Sequence, residues 1–354
     1  MQLSFQHLFF TLAFTFLLVA ALILAKSILI PLGLALLLSF ILHPVHKKLQ
    51  DKKFGNIGAA LTVLVLFFLI LVGILAFFSA EILSLSDQLT DFGDKLMTVF
   101  TDTVVFLNEN FSFLGNLEKD ELLEEGKAWL KDAGAGLLGR TFSSTASIFT
   151  GLFTMIIYTF LFLIYKQGLV SAFVKFGPEG MENQYRTMLK NIQQVGQKYL
   201  SGMLTLILIL GLANSTGLWI IGLDNPFLFG FLAATLSIIP YIGTTIGASI
   251  PVLYGFMSKD ELWVPLAIAV MFWLIQVIES NFLSPKVVGS SVNVNAFAAI
   301  LSLIVGASVW GVAGMILFLP FAAMLKAICE SYVPLQPLAM LIGQDAFNDK
   351  PKKT

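Results

Sequence analysis

The sequence predicts an all-α polytopic membrane protein, and three observations carry the prediction. Of 354 residues, 57% are hydrophobic and only 12% are charged, about half the ~25% charged share of average soluble domains. Mean hydropathy is +0.87. The apolar residues fall in runs long enough for helices that cross a hydrocarbon core of ~30 Å, which takes ~20 residues. This composition excludes a disordered chain, a nucleic-acid binder and an ordinary cytosolic enzyme. Net charge is −1, from 21 basic and 22 acidic residues, so only the distribution of charge is informative. Cys329 is the single cysteine, which excludes an intrachain disulfide and a thiolate metal cluster.

Full spans are predicted at residues 8–25, 27–42, 57–78, 146–165 and 199–221. The first resembles a signal peptide, but it lacks a basic leading region (His7 comes nearest) and a small-residue cleavage site. It is therefore read as a retained helix. Lysine and arginine in short loops set orientation. The loop 43–56 carries Lys47, Lys48, Lys52 and Lys53 against Asp51. The segment 166–198 carries Lys166, Lys175, Arg186, Lys190 and Lys198 against Glu179 and Glu182. Both are placed in the cytoplasm. The stretch 79–145 holds twelve acids and five bases and is placed outside. Both termini then fall inside, the tail with Lys350, Lys352 and Lys353.

The outer stretch of 67 residues is too long for a plain loop. Leu85, Leu89, Phe92, Leu96, Val99, Thr103 and Phe106 recur at alternating spacings of four and three, one apolar stripe on a helix. A second helix is expected over about 117–138. The stripe either closes a helical hairpin or meets neighbouring subunits.

The second half contains two interrupted apolar runs. Residues 227–257 are broken at Ile239-Pro240-Tyr241-Ile242-Gly243, with Gly247 and Pro251 following. Residues 296–325 are broken at Gly306-Ala307-Ser308 and Gly311-Val312-Ala313-Gly314, with Pro320 later. Proline lacks an amide hydrogen and clashes with the preceding turn. Broken backbone at membrane depth survives only when buried in protein or facing a watery cavity. One plain helix, residues 263–278, separates the two runs. Paired broken segments of matching length point to an inverted repeat around a central site. Each run is expected to be a re-entrant hairpin, the alternative being one long kinked crossing. Glycines four residues apart, such as Gly243 and Gly247, also permit close helix packing.

The ordered motifs Gln197-Lys198-Tyr199-Leu200-Ser201-Gly202, Gly222, Asn225-Pro226, Gly230 and Ile238-Ile239-Pro240-Tyr241-Ile242-Gly243 are followed by the stretch from Gln276 through Glu279, Ser280, Asn281, Pro285 and Lys286 to Gly289. Gly306, Gly311-Val312-Ala313-Gly314-Met315 and Leu319-Pro320 close the set. Together they resemble the autoinducer-2 exporter family of permease-like bacterial membrane proteins, over about residues 165–326. The resemblance implies an inner-membrane transporter that works as a homo-oligomer. Its members are linked to export of the furanone signal autoinducer-2 or to sodium/proton antiport. Three positions depart from the family pattern. Thr244 stands where proline is common, Asn295-Ala296 where His-Pro is common, and Gln167 where an acid is common.

Ionisable side chains within the membrane cost ~2.5–3.5 kcal/mol or more and are functional suspects. The interiors of spans four and five and of both broken runs hold none, which favours a neutral polar cargo. Glu279, beside Gln276 and Asn281, is the best candidate for proton exchange; the alternative role is an interfacial pair with Lys286. Asn293 and Asn295 precede the second broken run and either cap its helix or touch a ligand. Asn214, Ser215 and Thr216 are expected to face into the bundle, because an amide in hydrocarbon needs a partner. Tyr241 offers a ring at a backbone break. The expected path residues are therefore Pro240, Tyr241, Gly243, Gly247, Gln276, Glu279, Asn281, Pro285, Lys286, Asn293, Asn295, Gly306, Gly311, Gly314 and Pro320. No phosphate-binding loop ending in Gly-Lys-Ser/Thr occurs. His43 and His46 have metal-compatible spacing but no acid or cysteine cluster beside them. No cofactor and no enzymatic site is expected.

Four units follow: N-terminal helices at 1–78, an extracytoplasmic helical segment at 79–145, a core with broken helices at 146–326, and a cytoplasmic tail at 327–354. The leading functional expectation is a permease exporting a small polar molecule, with the lipid bilayer, that solute and further copies of the chain as partners. The alternatives are a monovalent cation/proton antiporter and a non-transporting scaffold for cell-envelope partners. A scaffold does not need paired broken helices.

Overall fold

The computed structural model describes residues 5–52, 54–82, 149–239, 242–259, 261–289 and 293–344. Apart from its first four residues, the predicted extracytoplasmic segment 79–145 lies outside this set, and so do Pro240 and Tyr241. The fold is all-helical. Its elements are α1 (Phe5–Leu24), α2 (Lys26–Asp51), α3 (Asn56–Ile82), α4 (Phe149–Lys175), α5 (Glu182–Ile221), α6 (Pro226–Leu236), α7 (Ile242–Ser258), α8 (Trp263–Ile278), α9 (Ala296–Glu330) and α10 (Gln336–Ile342). Six helices among the described residues are long and apolar enough to cross a membrane.

The two interrupted runs are helical hairpins. In the first, α6 and α7 lie side by side. A Cβ on Gly243 would strike the backbone of Leu236, and one on Gly247 would come within 2.8 Å of Ala233 Cα. In the second, α9 folds back at Gly311, whose backbone sits at φ 61° and ψ −137°. Only glycine adopts that region at low cost. The fold-back sets Gly306 against Gly314, each carbonyl where the other's Cβ would stand.

The 40-residue helix α5 organises both hairpins. At 1.5 Å per residue it is about 60 Å long, more than a bilayer core. Its buried residues include Gly196, Tyr199, Leu206, Leu210, Asn214 and Leu218, a stripe at three- and four-residue spacing. The first hairpin covers the C-terminal half of this stripe. Ala234 packs with Leu206 and Leu210, the Phe231 ring covers Gly211, and Gly230 abuts Ser215. The second hairpin covers the N-terminal half, with Met324 over Gly196 and Leu317 and Met324 packed with Ile192 and Val195.

The hairpins approach from opposite ends. The mouth of the first is closed by a 3.1 Å ion pair between Lys259 and Asp224. Asn225 Nδ2 there donates to the Glu81 carbonyl at the end of α3 (3.3 Å). The base of the second meets the start of α5. Gln184 Nε2 donates to the Ser331 carbonyl (2.8 Å), and the Tyr185 and Tyr332 rings pack edge to face. This is the inverted arrangement expected from paired broken segments. Among the described residues, however, the hairpins form no extended interface with each other, and α5 is their common partner.

Several predicted boundaries are corrected. Spans 8–25 and 27–42 are not separated by a reversal. Ala25, at φ −90° and ψ 12°, donates to the Ala21 carbonyl and accepts from Leu29, both four residues away. These i-to-i+4 bonds carry the helix through Ala25, whose bridge-region backbone only bends it, so α1 runs into α2 as one bent helix. The alternation that placed the N-terminus inside counted two crossings here and loses that support. The predicted loop 43–56 is helical to Asp51, with Pro31 and Pro44 inside α2. The segment 166–198 is the end of α4 and the beginning of α5, broken only around Gly177 and Pro178. Charged residues there extend the helices beyond the apolar stretch.

Candidate functional site

The tip of the first hairpin, the C-terminal third of α5 and the end of α8 line one cavity of mixed polarity. Asn214 contributes from α5, Ser237 and Thr244 from either side of the tip, and Gln276 and Glu279 from α8. Its free space of about 20 Å³ fits a single water, which needs ~10–15 Å³. Asn214 is 4% exposed. Its Nδ2 reaches the Gly230 carbonyl at 3.5 Å, and its Oδ1 has no protein partner. Ser284 Oγ donates to Glu279 Oε1 at 3.4 Å, and Gln276 lines the same cavity. Among the described residues no ion pair joins Glu279 to Lys286, which is exposed.

The backbone at Glu279 departs from α-geometry. Glu279–Leu283 and Pro285–Gly289 form wide π-turns, and the Ser284 amide reaches back five residues to the Glu279 carbonyl. Pro285 supplies a reason. It has no amide to give the carbonyl four residues back, and its ring crowds that carbonyl. Such bulges recur at functional sites.

The cavity shares Thr244, Phe272 and Gln276 with a larger groove between α7 and α8, about 500 Å³ in volume. Thr245 and Ser249 line one wall, and Phe272 and Trp273 line the other.

The remaining predicted residues are placed elsewhere. Gly243, Gly247, Gly306 and Gly314 sit at backbone-to-backbone approaches and Gly311 forms a turn, so the geometry gives them packing roles rather than a lining role. Pro320 is buried inside α9. Asn281 Nδ2 bonds back to the Val277 carbonyl of its own helix (2.8 Å). Asn293 is exposed in a left-handed conformation, φ 43°. Asn295 is a helix cap. Its side chain accepts from the Ala298 amide (2.8 Å) and donates to the Leu341 and Gly343 carbonyls (2.7 and 2.9 Å). Asn214 and Ser215 face the bundle as expected, but Thr216 is exposed. At 100° per residue, a position two beyond Asn214 turns to the far side. Sequence reasoning missed Ser237, Thr244 and Ser284 as cavity neighbours; Thr244 carried one signal, as a departure from the family's proline.

An all-helical chain with six helices able to cross a membrane and two hairpins packed from opposite ends of a shared helix has the form of a membrane transporter. A model of the AI-2E family transporters matches residues 9–334. The chain belongs to that family. Among its relatives, YueF of Bacillus subtilis is 27% identical over 329 residues, covering 88% of this chain and 85% of the relative. YrrI of the same organism is 26% identical over 323 residues, 88% of each chain. The AI-2 transport protein TqsA of Escherichia coli is 22% identical over 320 residues, 90% of each chain.

Proposed function

We propose that this membrane transporter exports a small, uncharged, hydrogen-bonding molecule across the bacterial inner membrane. The observation that carries the reading is the cavity at Asn214, Gln276 and Glu279, which adjoins the α7–α8 groove at Thr244 and Gln276. The unpartnered Asn214 Oδ1 supports ligand or water binding, because a buried acceptor without a partner costs about 1–3 kcal/mol. The name of TqsA makes autoinducer-2 the first cargo to test. The basic ends of α2, α4 and α5 support a cytoplasmic location for that side and for the C-terminus. The path runs past Gln276 and Glu279, and the working unit is a homo-oligomer.

A second reading, monovalent cation/proton antiport, rests on Glu279. It is the one carboxylate of the cavity; it accepts from the Ser284 hydroxyl, and Gln276 lines the same space. The deciding experiment loads sealed proteoliposomes with autoinducer-2 and follows efflux with and without proton or sodium gradients. Solute efflux above that of protein-free vesicles supports the first reading. Proton movement that requires sodium, without solute efflux, supports the second. Neither flux overturns both.

A further inference from the structure

We infer that the α7–α8 groove takes a neutral amphipathic molecule from within the bilayer, polar head toward the hairpin tip. The inference rests on the transport reading above and narrows its cargo.

Depth is the first argument. α8 with its π-helical continuation runs Trp263–Val287. Trp273 and Gln276 lie ten and thirteen residues from its start, about 15 and 20 Å along the axis at 1.5 Å per residue. On the facing wall, Thr245 and Ser249 lie thirteen and nine residues from the end of α7, about 20 and 14 Å from the mouth. Within a core of ~30 Å, these groups sit at mid-depth. Thr245, Ser249 and Trp273 are exposed, and α7 packs on α6 and α8. The groove therefore opens sideways toward lipid.

The lining is the second argument. It contains no charged side chain. Its polarity is graded: Thr244 and Gln276 stand at the tip end, where the groove joins the inner cavity, and Val252 and Leu253 stand toward the mouth. Beyond them the exposed side chains are apolar, Phe256 and Leu266. A hydroxylated head can add hydrogen bonds to the Gln276 amide and to the hydroxyl oxygens at the deep end, while an apolar tail covers the valine and leucine. The volume of about 500 Å³ lies within the ~300–1,000 Å³ of small-molecule sites. A fully water-borne solute would leave the apolar end unfilled, and a charged one would find no counter-ion in the groove.

The test uses the full chain in phosphatidylcholine vesicles with a diazirine-bearing monoacylglycerol as probe. The expected result is labelling of α7 and α8 that unlabelled monoolein suppresses at least tenfold and glycerol or autoinducer-2 does not. Labelling of α1, whose phenylalanines face outward, should resist competition and serve as the internal control. Ala248→Trp and, separately, Ser249→Leu should lower groove labelling at least fivefold without changing α1. Ser249→Leu places its change at an exposed position, so it remains informative if Ala248→Trp does not fold. Groove labelling that resists competition as α1 does would make the groove plain lipid-facing surface and overturn the inference. Equal competition by autoinducer-2 would also overturn it, while supporting the transport reading. Efficient Ser249→Cys cross-linking between copies would give the groove to a second subunit and overturn it as well. Retained competition together with absent efflux would sink the transport reading alone.

Discussion

Gly306 and Gly314 face each other backbone to backbone across the turn at Gly311, eight residues apart in sequence and in direct contact in space. This contact distinguishes a hairpin from a 35-residue rod, in which the same residues would stand about 12 Å apart along the axis. Gly306→Val and Gly314→Val should each force the arms apart, at an overpacking cost of about 1–3 kcal/mol. Gly73→Val is the control, since nothing lies within 4 Å of a Cβ there. Thermal unfolding in detergent should show lowered midpoints for the two hairpin variants and little change for the control. Three equal midpoints would mean that the arms do not touch.

Asn295 ties the start of α9 to the end of α10. Its oxygen caps α9, and its amide holds the Leu341 carbonyl in the last turn of α10 and the Gly343 carbonyl just beyond it. Asn295→Ala removes both functions and should cost about 1–2 kcal/mol through the cap alone. Asn295→Asp keeps the acceptor and loses the donors. Hydrogen exchange should therefore rise over residues 336–343 in both variants, and over the first turn of α9 only in Asn295→Ala. Unchanged exchange over 336–343 would remove Asn295 as the tie.

The opposite insertion of the hairpins is open to labelling. Leu262 lies beyond the mouth of the first hairpin and Val333 beyond the base of the second, and they are 69% and 76% exposed. In a Cys329→Ser background, Leu262→Cys should react with an impermeant maleimide in intact spheroplasts. Val333→Cys should react only after the inner face is opened. Labelling of both from one side would contradict entry from opposite faces.

Much of this architecture was legible as interruption. Proline and glycine near residues 240–243 and 306–314 mark where an apolar run cannot continue as one helix: α6 ends at Leu236 and α7 starts at Ile242, and α9 folds back at Gly311. Boundaries were legible only where apolarity and helix coincide. Lys26 marks a gap between apolar runs, yet lysine is a good helix former and the helix passes through it. The charges between Lys166 and Lys198 read as a loop for the same reason, whereas Gly177-Pro178 makes the actual break. Asn214 and Glu279 could each be singled out as polar groups near or within the membrane. Their meeting depends on the first hairpin folding over α5, a long-range packing event without local periodicity. The π-turns at Glu279 have no sequence period of their own, although Pro285 signals that the regular bond cannot form.

The cavity itself can be tested by separating its charge from its shape. Glu279→Gln keeps side-chain size and can still accept from Ser284, so the fold should persist with a thermal midpoint near that of the parent. If Glu279 couples transport to protons or sodium, efflux should become indifferent to the gradient while passive flux continues. Gradient-driven flux that survives would remove Glu279 from coupling. Asn214→Leu exchanges a buried amide, one oxygen of which lacks a partner, for an apolar side chain of similar size. The exchange removes the orphaned acceptor together with only one long bond, 3.5 Å to the Gly230 carbonyl, so the gain and the loss largely offset. The variant should therefore melt close to the parent temperature. Its solute flux should nevertheless fall at least tenfold, because the orphaned acceptor in the cavity wall is gone and the remaining space no longer suits a water. A well-folded Asn214→Leu protein with full flux would place the transport path outside this cavity.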